Sequence, residues 1–108
     1  MTKTESERIL ELDPLVHAPV RLAVLSILAE AEGADFVFLR EATGTTDGNL
    51  SSHLAKLESA GYVVIRKSFV EKRPHTTCSI TRKGRRAFVG YLEQLARIVE
   101  SSRVPKEG

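Results

Sequence analysis

Inside TTDGNLSSHLAKLESAG (45–61), Leu50, Leu54 and Leu57 recur at i, i+4 and i+7, and this stretch constrains the chain more than any other. The spacing makes one apolar stripe on an α-helix. Thr46 or Asp47 can cap its first backbone N–H groups, and Gly61 can supply the left-handed residue that ends it. At about 100° per residue, the opposite face carries Gly48, Asn49, Ser52, Ala55, Lys56 and Ser59. Long charged side chains usually fill the outer face of a surface helix. Here the residues are small, with short amides and hydroxyls and one lysine. Such a face can approach another surface closely and hydrogen-bond to it, and a helix of that kind fits the DNA major groove. The bland reading is a core helix with a plain outer face, and the flanking segments decide between the two.

Upstream, Asp35 can cap a short helix from Phe36 to Thr43, with Phe36 and Leu39 inward and Gly44 at its end. Only Thr45 and Thr46 separate it from the next helix, which predicts a helix-turn-helix. Downstream, the period changes from helical to alternating. Tyr62–Val70 and Thr76–Thr81 read as strands, with Val63, Ile65, Cys78 and Ile80 inward. Glu71-Lys72-Arg73-Pro74-His75 reads as the turn, giving a hairpin with a basic tip. A helix-turn-helix followed by such a hairpin is a winged helix.

The remaining elements are helical. Asp13-Pro14 looks like a cap with proline at the first helical position, and His17-Ala18-Pro19 predicts a break. From Pro19 to about Ala31, Leu22, Leu25, Ile27 and Leu28 face a core, with Gly33 ending the helix. Residues 4–12 form a short N-terminal helix with Ile9, Leu10 and Leu12 as its apolar members. Thr81-Arg82-Lys83-Gly84 starts the last helix, which runs to about Ser101 with Phe88, Tyr91, Leu92, Leu95 and Ile98/Val99 along one side. That stripe is long for a helix covering one end of a small core. The tail from Ser102 to Gly108 is polar and frayed.

The fold class expected is mainly α with a small β-hairpin, a winged helix-turn-helix of order α-α-α-β-β-α with an extra N-terminal helical segment. At 108 residues it makes one domain: an N-terminal segment (1–12), helix-turn-helix and wing (13–81), a C-terminal dimerisation helix (82–101) and a tail (102–108).

Charge is unevenly placed. Residues 1–39 hold three Lys/Arg against seven Asp/Glu, whereas residues 40–86 hold ten against four, a net of +6 on the segment with the candidate recognition helix. That asymmetry suggests a polyanionic partner. No apolar run approaches the ~18 residues of a membrane span, and the N-terminus lacks the apolar core of a signal peptide. One cysteine excludes an internal disulfide and fits a reducing cytoplasm. His17, His53 and His75 have no ligand spacing with Cys or Asp, so no metal site is expected. With no nucleophile–base motif and no glycine-rich phosphate loop, neither catalysis nor a cofactor is expected.

TDGNLSSHLAKLESAGYVVIRK (46–67) and KRPHTTCSITRKGRRAF (72–88) together resemble the small winged-helix transcriptional regulators of the MarR and ArsR types. The likeness spans roughly residues 13–96. It implies a wing that touches DNA beside the recognition helix and terminal helices that make a dimer. The absence of ligand spacing departs from the metal-sensing ArsR members.

Asn49 and Ser52 are the candidates for base edges, since Asn can pair bidentately with adenine and Ser can serve bases or phosphate. Lys56 suits phosphate or guanine. Thr46 and Ser51 can donate to phosphates at the helix start, where the helix dipole also favours an anion, and Gly48 lies on the face placed in the groove. His53, at the edge of the stripe, either reaches phosphate or packs with a hydrogen bond. Lys72 and Arg73 at the wing tip suit backbone or minor groove. Arg66, Lys67, Arg82, Lys83, Arg85 and Arg86 are further phosphate candidates. Cys78, mid-strand and inward, reads as an inert thiol. Ile9, Leu12, Tyr91, Leu92, Leu95 and Val99 are apolar residues that one small core leaves over, and a second copy would cover them.

The expected function is a cytoplasmic, homodimeric regulator binding double-stranded DNA, with no membrane partner; the effector is not legible. The alternative is a winged-helix module that binds another protein, which the net +6 disfavours. A single-strand or RNA binder is disfavoured by the expected lack of exposed aromatics for base stacking.

Overall fold

Four side-chain caps fix where helices begin in the computed structural model, which describes residues 2–105. Thr4 caps α1 (Glu5–Leu10), Asp35 caps α3 (Phe36–Thr43), Thr46 caps α4 (Asp47–Ser59) and Thr81 caps α5 (Arg82–Ser101); each side-chain oxygen accepts a backbone N–H from three residues on. Between α1 and α3, α2 spans Pro19–Glu30 with proline at its first position. The break at 17–19 is therefore present, but Asp13-Pro14 starts only a turn. Asp13 Oδ1 accepts the Leu15 N–H, and its carbonyl accepts the His17 N–H, so the chain makes one turn and no helix there.

α3 ends at Gly44, in the left-handed region, and α4 ends in the hydrogen bonds of a Schellman motif. The Gly61 N–H donates to the Glu58 carbonyl and the Tyr62 N–H to the Leu57 carbonyl, with Gly61 at φ +78°. The chain then turns directly into strand.

Three strands form the sheet, in the order β1-β3-β2. β1 (Ala34–Asp35) was not expected from sequence; it pairs antiparallel with β3 (Arg73–Ile80) through Ala34 and Cys78. β2 is Val63–Val70, paired antiparallel with β3 from Val63–Ile80 to Val70–Arg73. The hairpin turn is thus only Glu71-Lys72, not the five residues 71–75. Both residues take positive φ, 52° and 65°, which suits the tightest hairpin connection and lets pairing run to the tip. Pro74 is consequently a strand residue opposite Phe69. In a two-residue hairpin the closing pair exchanges hydrogen bonds and the next pair does not, so proline at 74 removes no ladder bond.

The core gathers Leu12, Val16, Val24, Leu25, Leu28, Leu39, Leu50, Leu54, Leu57, Val63, Cys78, Phe88, Tyr91 and Ile98. Leu22, Ile27, Phe36, Ile65, Ile80 and Leu95 are half-buried against it. A tight joint connects the halves of the molecule. Thr81 donates from its backbone N–H to the Tyr62 carbonyl and from its hydroxyl to the Gly61 carbonyl. One turn later, a Cβ at Gly84 would fall 2.1 Å from the Tyr62 carbonyl oxygen, so only glycine lets α5 start this close to β2.

The chain is elongated, 59 × 32 × 22 Å. Its radius of gyration, 16.5 Å, exceeds the ~13 Å typical of a domain this long. At the distal end of α5, Arg8 of α1 donates to the Ser101 hydroxyl. Residues 102–105 carry no regular structure, and the expected frayed tail otherwise lies outside the described residues.

Candidate nucleic-acid interface

The site begins with how α4 is held. Leu50, Leu54 and Leu57 are buried, as their spacing requires, and so is Leu39 of α3. Across the turn, Arg40 Nη1 donates to Asp47 Oδ1 at 2.8 Å, tying the last turn of α3 to the first turn of α4. The pair is partly exposed, so its value is orientation more than stability. Thr46 accepts the Asn49 N–H at 3.1 Å, so its oxygen serves as the cap.

With the leucine stripe inward, Gly48, Asn49, Ser51, Ser52, Ala55, Lys56 and Ser59 are exposed. A Cβ at Gly48 would meet nothing within 4 Å. The fold has no steric need for glycine there, and within a helix glycine costs about 1 kcal/mol relative to alanine. What it supplies is closeness of the backbone to whatever lies outside.

His53 is half-buried and packed. Arg21 of α2 donates from Nε to the Leu15 carbonyl and lies with Nη1 3.0 Å from His53 Nδ1. A guanidinium only donates, so Nδ1 accepts and the neutral ring carries its proton on Nε2. Burial, then the charges of Arg21 and Lys56, holds its pKa below the usual histidine value. His53 is therefore packed and hydrogen-bonded through Nδ1, and the proton on Nε2 is the group left to donate.

The hairpin runs alongside α4. Ser51, Leu54, Ala55 and Glu58 share a groove with Ile65, Lys67 and Thr76 of the strands and Phe36 of α3. Beyond it β2 leaves the core, and Arg66, Lys67, Lys72 and Arg73 are exposed along the wing. Of the other basic candidates, Arg85 donates to the Ala29 carbonyl at the end of α2, and Lys83 stands over the Tyr62 ring. Those two have jobs inside the fold. Tyr62 in turn donates to Asp13, and burial followed by that contact raises its pKa. Arg21 and Arg40 were missed as site residues. Arg40 has a local signal, a cation in the last turn of one helix facing Asp47 at the start of the next; Arg21 has none.

The six dimerisation candidates separate into three kinds. Leu12 and Tyr91 are buried in their own chain, with Tyr91 Oη 2.6 Å from His17 Nδ1, and cannot serve a surface. Leu95 is half-buried against the core. Ile9, Leu92 and Val99 are exposed, joined by Leu10 and Val89. Cys78 is buried, and burial pushes its thiol up to about 11. Among the described residues no group of His, Cys, Asp or Glu side chains could hold a metal ion, and no helix is long and apolar enough to cross a membrane.

A family model of the winged helix DNA-binding domain matches residues 20–99. The chain belongs to that family. An uncharacterized protein of Methanocaldococcus jannaschii is 38% identical over 84 residues, 78% of this chain and 91% of its own. The structure of a transcriptional regulator homologue from Pyrococcus horikoshii superposes with a TM-score of 0.80 at 29% identity, covering 89% of this chain and 94% of that one. A MarR-family regulator from Silicibacter pomeroyi shares the fold at 18% identity, with a TM-score of 0.63 over 94% of this chain and 69% of its own. The protein carries a winged helix DNA-binding domain, and its fold is shared with structures named as MarR-family and ArsR-family regulators.

Proposed function

We propose that the protein is a sequence-specific, double-stranded DNA-binding transcriptional regulator that acts as a cytoplasmic homodimer. The observation that carries this reading is the outward face of α4, small and polar, lying alongside a strand pair that carries exposed Arg66, Lys67, Lys72 and Arg73. α4 enters the major groove with its N-terminal half towards the bases. Asn49 and Ser52 read base edges there, and Gly48 lets the backbone come close. Ser51, Lys56, Thr46 through its hydroxyl hydrogen, and the Nε2 proton of His53 hold phosphates. Lys72 and Arg73 hold the flanking backbone or minor groove.

The homodimer rests on α1 and α5. Leu10 is 83% exposed, Val99 68% and Leu92 43%. The Arg8–Ser101 contact keeps α1 against the end of α5 that carries Val99. Apolar surface of that kind is most simply covered by a second copy. A two-fold pair would set two recognition helices about 34 Å apart, one turn of DNA.

The test is duplex binding as a function of salt. Four to six phosphates per half predict a slope of log K against log salt of roughly −7 to −11. Single-stranded DNA and RNA should compete poorly. A flat salt response would remove the phosphate-driven mode.

A further inference from the structure

The wing carries an apolar pair that the fold does not use. Contrary to the expectation that no aromatic is exposed, Phe69 is 75% exposed and Phe38 54%, and Phe69 lies opposite Pro74, itself exposed. Val70 beside it is exposed as well. Single apolar side chains on a surface are ordinary. Three features separate this one. First, Phe69 and Pro74 form one cross-strand contact pair, so the apolar surface is continuous across both strands. Second, its direction is fixed by alternation. Lys67 and Thr76 are paired and face the groove beside α4; two residues further out on the same sheet face come Phe69 and Pro74. Third, the segment 66–73 around it holds four cations against the single carboxylate of Glu71.

We infer that Phe69, backed by Pro74, is an apolar DNA contact of the wing, packing against the deoxyribose wall or a base step of the minor groove flanking the half-site. Four cations around an apolar patch repel a second copy of the same wing and suit a polyanion, and among polyanions duplex DNA offers apolar sugar and base surface between its phosphates. Side chains of this class act as wedges in minor-groove binders. A two-residue turn of Glu71 and Lys72, closed by the Val70–Arg73 pair, is narrow enough to bring the ring and the charges to one groove together. The inference rests on the DNA-binding mode proposed above and adds to it a component that does not release counterions.

The difference in salt response provides the test. The probe is a duplex selected from a random pool by the wild-type protein, and its affinity is measured across a range of potassium chloride concentrations. Phe69→Ala should weaken binding roughly tenfold to a hundredfold per wing at every concentration, the worth of burying one phenyl ring, and leave the slope of log K against log salt unchanged. Phe69→Leu should recover most of the loss. Lys72→Ala should instead make the slope shallower by about 1 per wing. Because Phe69 is exposed, the variants should keep the wild-type melting temperature and sedimentation coefficient. Phe69→Ala binding as tightly as wild type overturns the inference while leaving the duplex-binding mode intact. A change in sedimentation coefficient also overturns it and assigns the ring to a contact between copies. A wild-type protein that selects no duplex removes the binding mode itself.

Discussion

α4 and α5 each leave one side open, and the two open sides differ in chemistry. That of α4 carries Gly48, Asn49, Ser52, Ala55, Lys56 and Ser59; that of α5 carries Val89, Leu92 and Val99, with Ile9 and Leu10 of α1 nearby. A small polar face gains little from leaving water unless its partner replaces each hydrogen bond with a matched one. An apolar face gains about 25 cal/mol per Å² wherever it is covered. The first surface is therefore selective and weak by itself, and the second is adhesive and unselective. In the mode proposed above the two surfaces complement each other: one module buries only about 600–1,000 Å² on DNA, and a second copy would double it.

The largest disruption to this division should come from the joint that holds the two regions together. Gly84→Ala places a methyl 2.1 Å from the Tyr62 carbonyl oxygen, so backbone must move, and we expect a loss of about 3 kcal/mol by chemical denaturation. Gly90→Ala is the control. Nothing lies within 4 Å of its Cβ, and it should be neutral or stabilising by up to about 1 kcal/mol. Comparable losses at both positions would show that the close approach is not what glycine 84 provides.

Separating the copies comes next. Because Leu95 packs on its own core, a charge there confuses folding with assembly; Leu92→Glu combined with Val99→Glu does not. We expect a folded monomer by sedimentation and circular dichroism, with operator affinity down roughly 10²-fold or more. A double variant that remains dimeric and DNA-competent would remove this face from the assembly.

Within the proposed DNA-facing region, Asn49→Ala should cost about 1–3 kcal/mol per site and relax preference at one base position. Arg73→Ala should weaken many sequences alike. Equal, sequence-independent losses would take Asn49 out of base readout.

The smallest effect concerns His53. Its folded-state pKa lies below ~6.5, so the unfolded chain takes up the proton more readily. The associated stability is present above about pH 6.5 and lost as pH falls through the folded value. An NMR titration should place His53 below the usual histidine value, and Arg21→Ala should move it upward. No movement in that variant would mean that Arg21 does not hold the ring.

The helix-turn-helix was legible because each of its signals is local. Asp35, Gly44, Thr46 and Gly61 act within a few residues of themselves, and the leucine stripe needs only its own spacing. The hairpin turn was misplaced because Glu71 and Lys72 adopt left-handed conformations without the Asn or Gly that usually signals them. β1 was invisible because two residues carry no alternation. Leu12 and Tyr91 lie on apolar stripes, but a stripe does not say which of its members the chain itself will cover. The same limit applies to His53, whose partner Arg21 lies 32 residues away. Asn49, Ser52 and Lys56 are exposed because the leucine stripe, fixed by its spacing, turns them outward.

The contact at Gly84 has a mechanical consequence. The first turn of α5, the end of α4 and the start of β2 meet at the carbonyls of Gly61 and Tyr62, held by Thr81 and with no room for even a methyl. The start of α5 is therefore tied to the segment that ends α4, through the backbone of residues 61–62. In the two-fold assembly proposed here, a rotation where the long helices meet would reach the end of α4 through this backbone joint, and the spacing of the two halves of an operator would depend on it.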